Sequence, residues 1–302
     1  MGRHARHPLR DAAEALALRG LLAGFRILPY GASLSAGRGL GRLIGFLDRT
    51  HRRRAETQMA EALGPGFPAA EASGAVYAHI GMCVAELARV EGRAARGEVA
   101  SWVRIEGLDH VTTALSKGKG LAIVAGHLGN WELGAVAMAA AGIPLSIVTR
   151  PLDNPRLDAL LLRIRQAGGS EVIGKRNALR AIREILARGR AMAILIDQDA
   201  REHGVFVDFF GKPASTIPSI AAIALRTGAP LVVTAMRRDP GNLTHTLTFE
   251  PVEVPPASED AREDARRLTA LLTSRLEARI RQAPEQWLWM HRRWKTQPVP
   301  AK

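Results

Sequence analysis

The stretch "IVAGHLGNWELG", residues 123–134, sets His127 directly after an apolar run and Glu132 five positions later. An imidazole can take a proton from an attacking hydroxyl, while a carboxylate at its other nitrogen fixes the tautomer and stabilises the imidazolium that forms. Five residues along a helix turn the chain by about 140° net, so the two side chains meet only if His127 lies in a turn and Glu132 in the first turn of the next helix. Gly126 and Gly129 make that turn sterically easy. Asn130 is placed to cap the helix, leaving backbone N–H groups pointed into the same space. Other chemistries fit less well. There is no GxSxG elbow, and Cys83, the single cysteine, lies in an apolar helical context, which disfavours a covalent acyl-enzyme. His127 and Glu132 lack the helical spacing of HExxH and have no third ligand nearby in sequence, so no metal is expected. A histidine and a glutamate with purely structural roles at a sheet edge are the alternative.

The elements around this pair follow from apolar periodicity. "GLAIVAG" reads as a buried strand, "WELGAVAMAAAG" as a short helix ending at Gly142 and "PLSIVTR" as a strand. A helix from Asn154 to about Gly168 follows, then a strand "EVI", a helix "NALRAIREILARG" and a strand "AMAILIDQD". A helix near 217–228, strands "PLVVTAM" and "LTHTLTFE", and a long helix over about 258–282 complete the pattern. Short apolar strands separated by helices imply an α/β fold with a mainly parallel central sheet flanked by helices. In such sheets ligands collect outside the carboxyl ends of the strands, which is where His127 stands.

Ahead of the sheet, residues 55–100 read as a helical lead-in broken by "GPGFP" at 64–68. Residues 1–54 combine apolar helices with the basic cluster "RTHRRR". Arg19 and Arg26 share one stripe of a helix otherwise rich in leucine, a pattern that suits either a helix lying in or dipping into a bilayer or a core helix of a soluble protein. Charged residues interrupt every apolar run there, so neither a signal peptide nor a simple spanning helix is expected. The simplest division is therefore an N-terminal membrane-associating helical extension, 1–54, and a domain over 55–302 whose α/β core occupies 101–302. The chain has 302 residues, of which 47% are hydrophobic, enough for a substantial core, and a formal net charge of +13. That charge implies an anionic partner, whether nucleic acid, acidic headgroups or an acidic protein. One cysteine excludes an internal disulfide and fits a reducing compartment. The closing "QWLWMHRRWK" mixes tryptophans with cations, which suits a membrane interface or nucleic acid equally.

"GHLGNWELG" resembles the signature of the lipid A biosynthesis late acyltransferases, the lauroyl and myristoyl transferases, within the wider glycerolipid acyltransferase superfamily. The similarity continues through "TRPLDNPRLDALLLRIRQAGG", "AILIDQDAREHGVFVDFFGKPAST" and "APEQWLWMHRRWKTQP". It covers most of residues 105–297, whereas the first hundred residues match only in style. The resemblance implies a glycerol-3-phosphate acyltransferase-like α/β domain at the cytoplasmic face of the bacterial inner membrane. Its partners would be acyl carrier protein, a lipid A precursor and an anionic membrane surface, with no nucleic acid. The acyl-carrier thioester would be co-substrate, and no cofactor would be required. His127 would deprotonate the acceptor hydroxyl and Glu132 would orient His127. Gly129, Asn130 and Trp131 would contribute to substrate binding, and the backbone there or a nearby arginine would supply oxyanion donors.

Arg150 and Arg165 are the resemblance's candidates for an acceptor phosphate, and Arg165 is alternatively one more residue of a basic helix face. Asp197 and Asp199 follow the strand "AMAILI", where they would hold a sugar hydroxyl, anchor Arg165 or form buried ion pairs. "VFVDFFG" would form an apolar wall for the acyl chain or the acceptor, unless its Phe pair is core. A phosphatidylinositol mannoside acyltransferase is the rival within the superfamily; those enzymes usually carry aspartate at the position of Glu132. A non-catalytic basic protein that binds lipid or nucleic acid is the rival from another class.

Overall fold

The computed structural model describes residues 8–149, 151–174, 178–241, 243–256 and 258–299. Four helices come first: α1 (Pro8–Ile27), α2 (Tyr30–Leu47), α3 (Arg49–Leu63) and α4 (Ala69–Ala95). They break at Pro29, at Asp48 and, as the sequence predicts, at the "GPGFP" segment. Asp48 accepts the His51 N–H at 3.2 Å as N-cap of α3. The α/β part then runs β1 (Val103–Glu106), α5 (Leu108–Ser116), β2 (Leu121–Ala125), α6 (Trp131–Ala140), β3 (Leu145–Thr149), α7 (Pro155–Gln166), β4 (Glu171–Gly174), α8 (Ala178–Ala187) and β5 (Ala191–Leu195). It closes with a hairpin of β6 (Val205–Phe209) and β7 (Lys212–Thr216), then α9 (Ser219–Thr227), β8 (Leu231–Arg238), β9 (His245–Val252) and α10 (Ala261–Gln282).

Apart from β1, α5 and the β6–β7 hairpin, these elements match the sequence reading within a few residues. Their strands combine into a seven-stranded sheet of order β1-β9-β8-β2-β5-β3-β4, in which only β8 and β9 pair antiparallel. β2 and β5 are central and nearly all apolar, as strands covered on both faces must be. The hairpin lies outside this sheet and pairs only with itself among the described strands.

Two apolar clusters fill the faces of the sheet. One gathers α3, α8, α9, α10 and the hairpin around Val124, Met192 and Val233; the other gathers α1, α2, α4, α6 and α7 around Leu121, Ile123 and Val232. The N-terminal helices thus share their core with the sheet through Leu22, Phe25 and Leu34. α2 lies so close to α4 that a Cβ on Gly81 would overlap the carbonyl oxygen of Gly37, and one on Gly41 the carbonyl oxygen of Tyr77. The glycine-rich stretch in α2 is therefore a packing seam. On the outer side the same helices leave Leu9, Leu16, Ile27, Ile44, Phe46 and Leu47 exposed. Among the described residues no helix is long and apolar enough to cross a membrane.

Candidate active site

Strands β2 and β5 are parallel neighbours in a register that pairs Ala125 with Leu195. Each chain runs two residues further before reaching a polar side chain, so His127 and Asp197 emerge side by side at the carboxyl edge of the sheet. Nδ1 of His127 lies 2.7 Å from Oδ1 of Asp197, and the His127 backbone N–H donates to Oδ2 at 2.6 Å. The carboxylate is almost fully buried, with 1% of its side chain exposed against 14% for the imidazole. Burial alone would raise the Asp197 carboxyl. It is outweighed by the His127 charge and by hydrogen bonds from the His127 side chain, the His127 backbone and Trp287, which hold it down to about 2. Burial opposes the charged form of His127 too, but the adjacent carboxylate wins and raises the imidazole above its usual range. Anionic Asp197 accepts a hydrogen bond from the Nδ1–H, which keeps that proton on Nδ1 and leaves the Nε2 lone pair as the base. The Gln198 side-chain nitrogen stands 3.4 Å from Nε2 at the exposed end.

This corrects the expected role of Glu132, which does not meet the His127 ring. Its two oxygens accept a fork from Arg165, Nε to Oε2 at 2.8 Å and Nη2 to Oε1 at 2.6 Å. Glu132 lies in the first turn of α6 as the spacing predicts, yet the partner this carboxylate meets is the guanidinium on α7, which matches it bidentately. Arg165 is therefore held by Glu132 instead of standing free for a phosphate, and Asp197 does not anchor Arg165. Glu132 still contributes to the field that raises His127.

Asp199 turns toward the C-terminal segment. Its Oδ2 accepts from Thr296 at 2.9 Å, and its backbone N–H donates to Nε2 of His291 at 3.0 Å. Asp199, Glu132, Arg165 and Trp131 all line the same cleft as His127. Trp131 sets its ring edge to face against the imidazole at 5.0 Å. Arg150 lies outside the described residues.

The turn that carries His127 is built into its neighbours. Gly129 has φ +62°, and a side chain there would run into the Met236 carbonyl, so only glycine fits. Asn130 caps α6, accepting the Leu133 N–H at 3.2 Å, and donates from Nδ2 to Glu86 at 2.7 Å. Glu86 is fully buried and also receives Arg238 through two bonds of 2.6 and 2.7 Å, His245 at 2.8 Å and the Tyr30 hydroxyl at 3.0 Å. Desolvation alone would raise this carboxyl, but His245 and Arg238 together hold it well below the usual carboxylate range. Asn130 is thus a cap locked from behind. Nothing in the sequence marked Glu86, Arg238 and His245 as one cluster, because they come from α4, β8 and β9.

The cleft encloses about 1900 Å³. Sites for small ligands hold roughly 300–1,000 Å³, so there is room for a lipid. Met138, Ile147, Leu152, Ile182 and Ile194 supply apolar wall, while Arg54, Arg201, Arg226, Arg262, Arg292 and Lys295 stand among its lining residues. Of the wall expected from "VFVDFFG", Val205 lines the cleft, whereas Phe209 and Phe210 are buried at 0% and 4% exposure against Trp287, Trp289 and Trp294. Those three tryptophans, at 1%, 0% and 8% exposure, are core and present no surface to a membrane interface or to nucleobases. Among the described residues no group of three or more His, Cys, Asp or Glu side chains is arranged to hold a metal ion.

Residues 3–296 match the family model described as bacterial lipid A biosynthesis acyltransferase. The lipid A biosynthesis lauroyltransferase of Escherichia coli K12 is 30% identical over 210 residues, 68% of this chain and 66% of that protein. The lipid A biosynthesis palmitoleoyltransferase of the same strain is 30% identical over 204 residues, 67% of this chain and 64% of that protein. The chain thus covers just under two thirds of the length of each. A phosphatidylinositol mannoside acyltransferase of Mycobacterium tuberculosis H37Rv is 31% identical over 134 residues, 43% of this chain and 42% of that protein. A buried carboxylate–imidazole pair opening on a lipid-sized cleft, within a match that runs almost from end to end, assigns the chain to the bacterial lipid A biosynthesis acyltransferase family.

Proposed function

We propose that this chain moves a fatty acyl group from an acyl carrier protein thioester to a hydroxyl of a lipid A precursor, with His127 as general base and Asp197 as the carboxylate that orients it. Nε2 takes the proton of the acceptor hydroxyl as its oxygen attacks the thioester carbonyl. The tetrahedral intermediate then collapses, the C–S bond breaks, and the carrier's thiolate leaves with the proton held on the imidazolium. The thioester supplies the driving force, and the reaction draws on no metal or redox cofactor. Positioning and proton transfer are what the protein contributes.

The observation that carries this reading is the 2.7 Å contact between His127 Nδ1 and buried Asp197, which leaves Nε2 facing an apolar-walled cleft. A non-catalytic basic binder has no need of such a pair. The +13 charge and the cations along the cleft suit an acidic carrier protein and a phosphorylated acceptor. The exposed apolar side chains of α1 and α2, beside exposed Arg42, Arg49 and Arg53, suit docking on an anionic membrane surface, at the cytoplasmic face of the inner membrane in this reading. Glu132, paired with Arg165, lies in the same cleft and there sets the charge that meets the substrate.

The mannoside relative favours one alternative acceptor, a phosphatidylinositol mannoside. Mass spectrometry of lipid A from cells with and without the protein separates the two. Loss of one acyl mass from lipid A on removing the protein is expected; an unchanged lipid A with altered inositol lipids would move the assignment to the alternative.

A further inference from the structure

We infer that Trp287 is a positioning residue of the active site, acting through Asp197 to hold and tune His127. The inference rests on the acyl-transfer reading only for its kinetic consequence; the link among the three side chains is structural. Trp287 follows a short 3-10 turn after α10, within the C-terminal segment that the sequence marked as tryptophan-rich, basic and part of the family resemblance, with no role for this residue.

Its indole N–H donates to Oδ2 of Asp197 at 2.7 Å, the same oxygen that accepts the His127 backbone N–H. Two donors pin Oδ2, so Oδ1 is left to the imidazole and the carboxylate cannot rotate away from it. The ring itself is held: 1% exposed, it packs edge to face against Trp289 at 4.6 Å and Phe209 at 5.6 Å. A buried indole N–H needs an acceptor, and a core tryptophan could have found one on the main chain, as Trp289 does on Pro284. Trp287 spends its donor on the active-site carboxylate.

The main chain around Trp287 ties the same parts together. Gly129 donates to the Gln286 carbonyl at 3.0 Å, and Leu288 donates to the His127 carbonyl at 3.1 Å. The segment therefore runs as a strap along the His127 turn, with Leu128 and Trp287 as bridge partners. Further along, Arg293, fully buried, donates to the carbonyls of Gln198 at 3.4 Å and Ser215 at 2.7 Å, while His291 accepts from Asp199. One strap thus grips the loop after β2 and the loop after β5, the two segments whose spacing sets the dyad.

Removing the indole N–H leaves more of the Asp197 charge to the imidazolium, so His127 should become more basic. The charged and titratable groups that bear on the pair are Glu132 on α6, Arg165 on α7, and His291 and Arg293 on the strap, with Asp199 beside them. None of them changes in the variant. The test uses the full chain carrying Trp287→Phe, with ring-labelled histidine observed by NMR and the His127 signal assigned by its loss in His127→Gln. The expected result is an upward shift of the His127 midpoint of about 0.5 unit or more, with kcat lowered roughly tenfold and KM within about twofold. A replacement that keeps the ring and swaps only the indole N–H for sulfur, benzothienylalanine at 287, gives the same reading should the phenylalanine variant fold poorly. An unmoved His127 midpoint in a folded variant overturns the inference, because a merely structural tryptophan would not shift it. A shifted midpoint in a protein whose wild type transfers no acyl group would instead remove the proposed reaction and leave the Trp287 link standing.

Discussion

The carboxylate of Asp197 sits 2.7 Å from the imidazole of His127, a residue seventy positions away in the chain, because adjacent parallel strands end in step. Asp197→Asn keeps the shape but presents an amide that no longer fixes the Nδ1 proton. Acyl transfer should fall by roughly 10³- to 10⁴-fold with little change in KM, by analogy with the buried carboxylate of catalytic triads. Steady-state rates with an acyl-carrier thioester check this; a loss under tenfold would leave Asp197 without the orienting role.

Glu132 and Arg165 should behave as a coupled pair. Breaking a largely buried fork from either side leaves one charge uncompensated. Glu132→Gln and Arg165→Met should each destabilise the protein, and the double variant should lose less than the sum, with a coupling of about 1–3 kcal/mol in a denaturation cycle. Strict additivity would mean that the fork contributes nothing to the fold.

How far the sequence foretold this site depends on the residue. His127 at a strand end, Asn130 as a cap and the alternation of strands and helices are local properties, readable from spacing and residue type. The partner of His127 is not local. α6, β3, α7, β4 and α8 intervene between β2 and β5, and only the strand order makes Asp197 its neighbour. Glu132 was the natural expectation because it is near in sequence, whereas the fold offered it Arg165 across a helix pair. Two apolar strands that each reach a titratable side chain two residues past their paired ends were the available signal, and it could be used only once their adjacency was known. The tryptophans failed as a surface signal for a related reason: their large apolar rings were needed in the core beneath the hairpin.

The pH dependence has a defined sign. His127 acts only when neutral, and Asp197 raises it above the ordinary histidine value near 6.5. The rate should therefore fall as pH falls through a midpoint above 6.5, and in Asp197→Asn any residual activity should show that midpoint at lower pH. The linked stability runs the other way. The His127–Asp197 interaction contributes in full between about pH 4 and pH 6.5; it is lost as pH rises through the folded-state midpoint of His127, and it is lost at the acid end as pH falls toward the depressed midpoint of Asp197. A kcat profile whose acid limb lies below 6.5 would contradict the assignment.

Behind the site, Glu86 satisfies Arg238, His245, Asn130 and Tyr30 at once. Glu86→Ala should cost about 3–5 kcal/mol, since it removes the carboxylate that faces the buried Arg238 guanidinium. The folded-state carboxyl is held below its unfolded value, so its contribution is present above about pH 4.3 and lost as pH falls through the folded midpoint. Denaturant titrations of both proteins at pH 7 and pH 3 would check the size and the direction. Gly81→Ala, forced into the Gly37 carbonyl across the α2–α4 seam, should lower stability by about 1–3 kcal/mol while leaving the dyad untouched.

The most direct measurement is the rate of acyl transfer from a defined acyl carrier protein thioester to an underacylated lipid A precursor by His127→Ala, alongside binding of the same precursor. The account predicts transfer reduced to the background of the uncatalysed mixture with precursor binding within a few-fold of wild type. Transfer retained at a tenth of the wild-type rate or more would contradict it.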